Sequence, residues 1–130
     1  MNYTAEYQNW LNQSLLPQDL RQELLSVADD PAGIADRFYK NLEFGTGGLR
    51  GELGAGTNRM NIYTVAKTTK GCSLYLKEAF ACPSVAIAYD SRINSLLFAQ
   101  TAAAVFASQG ISVYLFARLM PTPALSFAVR

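Results

Sequence analysis

No histidine occurs among the 130 residues. That absence removes Ser-His-Asp hydrolases and imidazole-ligated zinc sites from consideration and leaves carboxylate chemistry open. Two cysteines, Cys72 and Cys82, are too few for a disulfide framework. In a chain without a secretory signal such thiols more often stay reduced. Charge is scarce as well, at 16% of residues against a usual ~25%. With 11 basic and 10 acidic side chains the net charge is +1. No nucleic-acid or membrane partner is therefore expected, and any anion recognition must be local. Residues 1–6 carry neither a basic leader nor an apolar stretch of signal-peptide length, and no apolar run approaches a membrane span. The expected location is the cytoplasm.

Glycine is unevenly spread: six of the nine fall between positions 45 and 56. They lie in FGTGGLRG, residues 44–51, and its continuation ELGAGTNRMN, residues 52–61. Glycine reaches φ > 0 without strain and lets other groups approach the main chain. Successive exposed N–H groups can form anion-binding concavities, and Arg50 adds a planar fork suited to phosphate. Two nucleotide motifs are excluded by spacing. No glycine precedes a lysine here, so there is no P-loop. Counting on from Gly45 and Gly47 puts Arg50 where the dinucleotide fingerprint needs its third glycine. Two readings stay open: a loop that holds a phosphorylated ligand, and a tight connection between a helix and a strand.

Around this loop the pattern predicts helices first and α/β alternation after. Thr4 is the expected cap of a helix carrying Tyr7, Trp10 and Leu11, and residues 18–28 offer a second, with Leu20, Leu24, Leu25 and Val27. Asp30 followed by Pro31 marks a third helix, with Ile34, Phe38 and Leu42 at four-residue spacing. At that spacing the aromatic side chains read as core packing rather than a ligand box. Asn61 is the expected cap of a helix over 62–80, with Ile62, Val65, Thr69, Cys72, Leu76 and Phe80 as its inward stripe. Residues 85–89 and 111–116 read as buried parallel strands joined by an alanine-rich helix over 94–109 that ends at Gly110. The fold class is α/β. Beyond the strand ends lie Asp90, Arg92 and Arg118, where ligands gather in parallel sheets. Asp90 and Ser91 read as a turn and helix cap, and Arg118 as surface.

The strings FGTGGLRG and GAGTNRMN together resemble the opening signature of the α-D-phosphohexomutases, the phosphoglucomutase and phosphomannomutase superfamily. The segment VAIAYDSR, residues 85–92, resembles that family's strand running into D-[SG]-R. Residues 121–123 resemble its PTP turn. The matches span residues 44–130, about two thirds of the chain. The resemblance implies a three-layer α/β/α domain with a mainly parallel sheet, preceded by N-terminal helices. Residues 1–43 would then be a helical extension and residues 44–130 the family's first domain, incomplete at its C-terminal end. Thr122 and Pro123 read as a helix start with no stop signal before Arg130, which agrees with a chain cut inside an element.

The resemblance also implies an activity for a parent protein. It would be an intramolecular phosphotransferase that moves a phosphoryl group between positions of a sugar phosphate, as from glucose 1-phosphate to glucose 6-phosphate. A phosphoserine and a bisphosphorylated intermediate would carry the group, with magnesium and a sugar bisphosphate activator as cofactors. Arg50, with Thr46, Gly47 and Gly48, would contact phosphate, and Arg92 is a further candidate. The family's T-[AG]-S-H-N-P serine loop and D-x-D-x-D metal loop do not occur in these residues, so the chain alone is expected to be inactive. Its partners would be a phosphorylated sugar and the remaining domains of the same protein, with self-association through an exposed sheet edge. Many members have serine where this chain has Gly47. The GTGGLRG form is more similar to the bacterial phosphoglucomutase/phosphopentomutase-like branch, leaving hexose and pentose phosphate both open. The alternative function is a stand-alone, non-catalytic α/β module for phosphate binding or assembly.

Overall fold

Asn2 rather than Thr4 starts the first helix, α1 (Tyr3–Leu11): its Oδ1 accepts the Ala5 N–H at 3.1 Å. The asparagine reaches the third helical amide from two residues further back, so Thr4 falls inside the first turn. These positions come from a computed structural model that describes residues 2–129, apart from the side chains at 122, 123, 126 and 127. The chain packs as two units, Met1–Thr64 and Val65–Arg130.

In the first unit α1 is followed by α2 (Gln18–Ser26) and α3 (Pro31–Phe38). Asp30 caps α3 as expected, accepting the Gly33 N–H at 3.1 Å, with Pro31 opening the first turn. Tyr7, Leu20, Leu24, Ile34 and Phe38 form the core, and Leu24 and Phe38 are fully buried. Trp10 stands edge-on to Phe38 and Tyr63, with ring centroids 5.5 and 5.2 Å apart. The aromatic side chains therefore pack the core, as their helical spacing implied. The buried Tyr7 hydroxyl donates to the Leu24 carbonyl at 2.9 Å. Burial, with the Asp29 charge second, pushes this phenol above its usual range, which keeps it a neutral donor. Leu42 does not extend the stripe of α3, because that helix stops at Phe38. Its N–H instead donates to the Thr57 carbonyl at 2.8 Å. After α3 come two short strands, β1 (Phe44–Gly45) and β2 (Gly48–Leu49).

Helix α4 (Ile62–Ala79) is capped by Asn61 as expected and runs into the second unit. Its inward stripe follows the expected one only in part: Thr69 is buried as expected, Cys72 and Phe80 are exposed, and Ser73 is buried instead. Each hydroxyl donates to the carbonyl four residues back, Thr69 to Val65 and Ser73 to Thr69, both at 2.8 Å. Small polar side chains satisfied in this way are buried without an orphaned group. Strands β3 (Ser84–Ile87) and β4 (Ser112–Leu115) pair in parallel, Ser84 opposite Ser112 and Ile87 opposite Leu115. Between them runs α5 (Ser95–Ser108), which packs on β4, and the final helix α6 (Thr122–Val129) packs on β3.

Gly110 ends α5 with φ +77°. The Ile111 N–H donates to Phe106 and the Gly110 N–H to Ala107, a Schellman turn that packs Ile111 near Phe106. The architecture is α/β with a parallel pair, as expected. The strands are less covered than their apolar sequences suggested: Tyr114 is 69% exposed and Leu115 37%. Two strands with one helix on each do not shield both faces of a sheet. A helix begins at Thr122, as expected; the capping side chain of Thr122, like Arg130, lies outside the described residues.

Candidate phosphate-contacting loop

The first three glycines of the cluster fold in a small antiparallel hairpin, while Gly51, Gly54 and Gly56 lie in the irregular segment that follows. Phe44 pairs with Leu49 and Gly45 with Gly48, leaving Thr46 and Gly47 as the two-residue tip. Among the described residues the tip amides of Thr46 and Gly47 donate to no backbone group. Arg50 follows directly and is exposed. Its guanidinium folds back over the tip: a Cβ added to Gly47 would stand 2.8 Å from Arg50 Nη2. A side chain at position 47 would push that fork aside. Thr46, Gly47, Gly48 and Arg50 are thus gathered on one short element.

The other arginines of the first unit are occupied. Arg21 donates to the carbonyls of Leu11 and Gln13 at 2.7 and 2.6 Å. Arg37 pairs with Glu23, and Arg59 with Asp36, while Arg59 Nε lies 3.7 Å from Glu52. Among the described residues no carboxylate pairs with Arg50. One cation beside free backbone donors is a group that can accept a phosphate oxygen pair without first giving up a partner.

Arg92 lies in the second unit, just past β3. Asp90 Oδ1 accepts the Arg92 N–H at 3.0 Å and Oδ2 accepts the Arg92 Nε–H at 2.8 Å. The Asp90 N–H in turn donates to Ser95 Oγ at 3.2 Å. The Arg92 backbone N–H is the main cause holding the Asp90 carboxyl below its usual range; partial desolvation opposes it, and the Arg92 and Ser95 side chains assist. Asp90 therefore closes a turn and caps no helix, because α5 begins only at Ser95. The Arg92 side chain is 86% exposed, with its Nη groups beyond this grip. A cleft of about 260 Å³ adjoins it, lined by Tyr89, Asp90, Ser95, Met120 and Pro121 at the carboxyl end of β3. Arg118 is exposed, as expected.

Sequence reasoning missed the side chains that bind the 51–61 segment to the helices, namely Glu23, Asp36, Arg37 and Arg59. Glu23 and Arg37 are 14 residues apart and Asp36 and Arg59 are 23 apart, so no local spacing encodes these pairs. Among the described residues no three Asp, Glu, Cys or His side chains come together as metal ligands, so this set offers no cradle for magnesium.

A family model described as phosphoglucomutase/phosphomannomutase, alpha/beta/alpha domain I, matches residues 41–130. The human protein named phosphopentomutase is 36% identical over 135 aligned positions, covering 97% of this chain and 22% of its own length. Its mouse counterpart is 35% identical over the same shares. The phosphoglucomutase of Staphylococcus epidermidis strain RP62A is 48% identical over 89 positions, covering 68% of this chain and 16% of its own length. The chain thus spans about a fifth of the length of these curated relatives. No solved structure matches it significantly. The family model covers well over half the chain and begins just before the hairpin, so this chain belongs to the phosphoglucomutase/phosphomannomutase family.

Proposed function

We propose that this chain is the front part of a phosphosugar mutase, in which the 44–49 hairpin and Arg50 contact a phosphate of the sugar. The reading rests on one observation above the rest: among the described residues Arg50 is the arginine of the first unit without a carboxylate or carbonyl partner, and it folds over a glycine tip whose amides donate to no backbone group. In this role Arg50 supplies fixed charge and two parallel donors, and Thr46, Gly47 and Gly48 supply backbone donors and close approach. Arg92, on the second unit, is the weaker candidate for a phosphate contact. Residues 1–43 would form the helical extension and 44–130 the first domain, incomplete at its C-terminal end, with the phosphoserine and the magnesium ligands supplied by later parts of a longer protein. Magnesium, when bound there, neutralises charge on the transferring phosphoryl group. The names of the relatives support both pentose and hexose phosphates as substrates. The cytoplasm fits such a substrate, and among the described residues no helix is long and apolar enough to cross a membrane. The bare edges of the β3/β4 pair would favour self-association of the chain on its own.

Titration calorimetry with glucose 1,6-bisphosphate tests the loop. Arg50→Ala should weaken binding roughly 10- to 100-fold, the worth of one charge-assisted bidentate contact. Arg50→Lys should recover only part of that loss, because the planar fork is gone. Unchanged affinity in Arg50→Ala would remove the hairpin from the site.

A further inference from the structure

The segment that returns from the hairpin is held by side chains of the two preceding helices. Ala55 is fully buried, and both of its backbone polar groups are taken. Its N–H donates to Glu23 Oε2 at 3.2 Å, and its carbonyl accepts from Arg37 Nη1 at 3.1 Å. Glu23 and Arg37 also pair with each other. A carboxylate from α2 and a guanidinium from α3 therefore close a ring around one residue. The Arg37 carbonyl accepts the Asn58 N–H at 2.9 Å. At Gly56 φ is +131°, and a Cβ would stand 2.6 Å from that same carbonyl, so no side chain fits between segment and helix.

The ring reaches both feet of the hairpin. On entry, the Leu42 N–H donates to the Thr57 carbonyl at 2.8 Å, and Thr57 Oγ1 donates to the Lys40 carbonyl at 2.8 Å. On exit, Gly51 lies against Leu42, where a Cβ would come within 2.7 Å of Leu42 Cδ1. The Glu52 carbonyl then accepts the Met60 N–H at 2.7 Å. A half-buried ion pair adds little net stability compared with apolar side chains of the same volume. What this one adds is two bonds to the buried main chain of Ala55.

We infer that Glu23 and Arg37 are positioning residues of the phosphate loop: by clamping Ala55 they hold both feet of the hairpin and so the direction of Arg50. The helices ahead of the family-matched residues, which begin at 41, are then part of the site. The inference rests on the reading of Arg50 as a phosphate contact.

The test uses the full chain, with calorimetric titration of glucose 1,6-bisphosphate and NMR order parameters for the amides of residues 44–50. Glu23→Ala should weaken binding on the order of tenfold, the scale of a lost charged hydrogen bond or a small misplacement. It should also lower the order parameters of the hairpin. Glu23→Gln keeps an oxygen for the Ala55 N–H but loses the charge facing Arg37, and should fall between; it carries the test if Glu23→Ala does not fold. Ser73→Ala, a buried change on α4 that removes one hydrogen bond to the Thr69 carbonyl and touches none of the clamp residues, should alter neither readout. Unchanged affinity and order in both Glu23 variants overturn the inference, as does an equal loss in Ser73→Ala. If Arg50→Ala binds as tightly as the parent chain, the phosphate reading fails by itself, and the order parameters still decide whether Glu23 positions the hairpin.

Discussion

Among the described residues no side chain makes more hydrogen bonds than that of Asn61. It is 3% exposed, and its Nδ2 donates to the carbonyls of Gly54 and Gly56 at 2.8 and 2.9 Å. Its Oδ1 accepts the N–H groups of Tyr63 and Thr64, both at 3.0 Å. Thr64 answers by accepting the Asn61 N–H at 3.0 Å, a reciprocal arrangement like a capping box. One amide thus starts α4 and closes the glycine segment before it. Asn61→Ala strips two amides and two carbonyls of partners at once, and should cost about 3 kcal/mol, a lost cap plus buried unsatisfied groups. Urea denaturation measures it, and a loss under ~1 kcal/mol would mean that water replaces these bonds freely. Asn61→Asp keeps the cap but sets an anion against two carbonyls, so it should rescue little. The cap was legible, since asparagine stood just ahead of an apolar periodic run. The bonds back to Gly54 and Gly56 were not, because they depend on where the segment closes.

Among the elements, the strands and helices were legible and their cover was not. The apolar runs at 85–89 and 111–116 became β3 and β4, joined in parallel through α5 as their lengths required. Yet Tyr114 and Leu115 are exposed on β4, and Cys72, Leu74 and Tyr75 on α4. Periodicity says which residues share a face; it does not say whether anything packs on that face. Among the described residues β3 and β4 have no partners but each other, so each keeps one bare edge. Such edges beside apolar side chains recruit further strands. Multi-angle light scattering of the purified chain is therefore expected to show species heavier than 14.2 kDa that grow with concentration. A clean monomer across the range would count against the edge as a self-association site.

At the scale of the whole molecule, the chain covers about a fifth of its relatives and contains no histidine. On the proposed reading the nucleophile and the metal ligands lie in later parts of a longer protein. The 130 residues alone should then show no turnover of glucose 1-phosphate with magnesium and glucose 1,6-bisphosphate in a coupled assay. Measurable turnover would defeat the proposal that this is an incomplete first domain. The sequence by itself determined the α/β class, the helix starts at Asp30 and Asn61, and the family, because all three are written in residues close together along the chain. Only the tertiary structure decided which arginines are spoken for. Glu23 and Arg37, like Asp36 and Arg59, meet across a turn of chain that no local pattern records. Folding consumes those charges in holding the glycine segment, and among the described residues it leaves Arg50 as the first unit's arginine without a carboxylate or carbonyl partner.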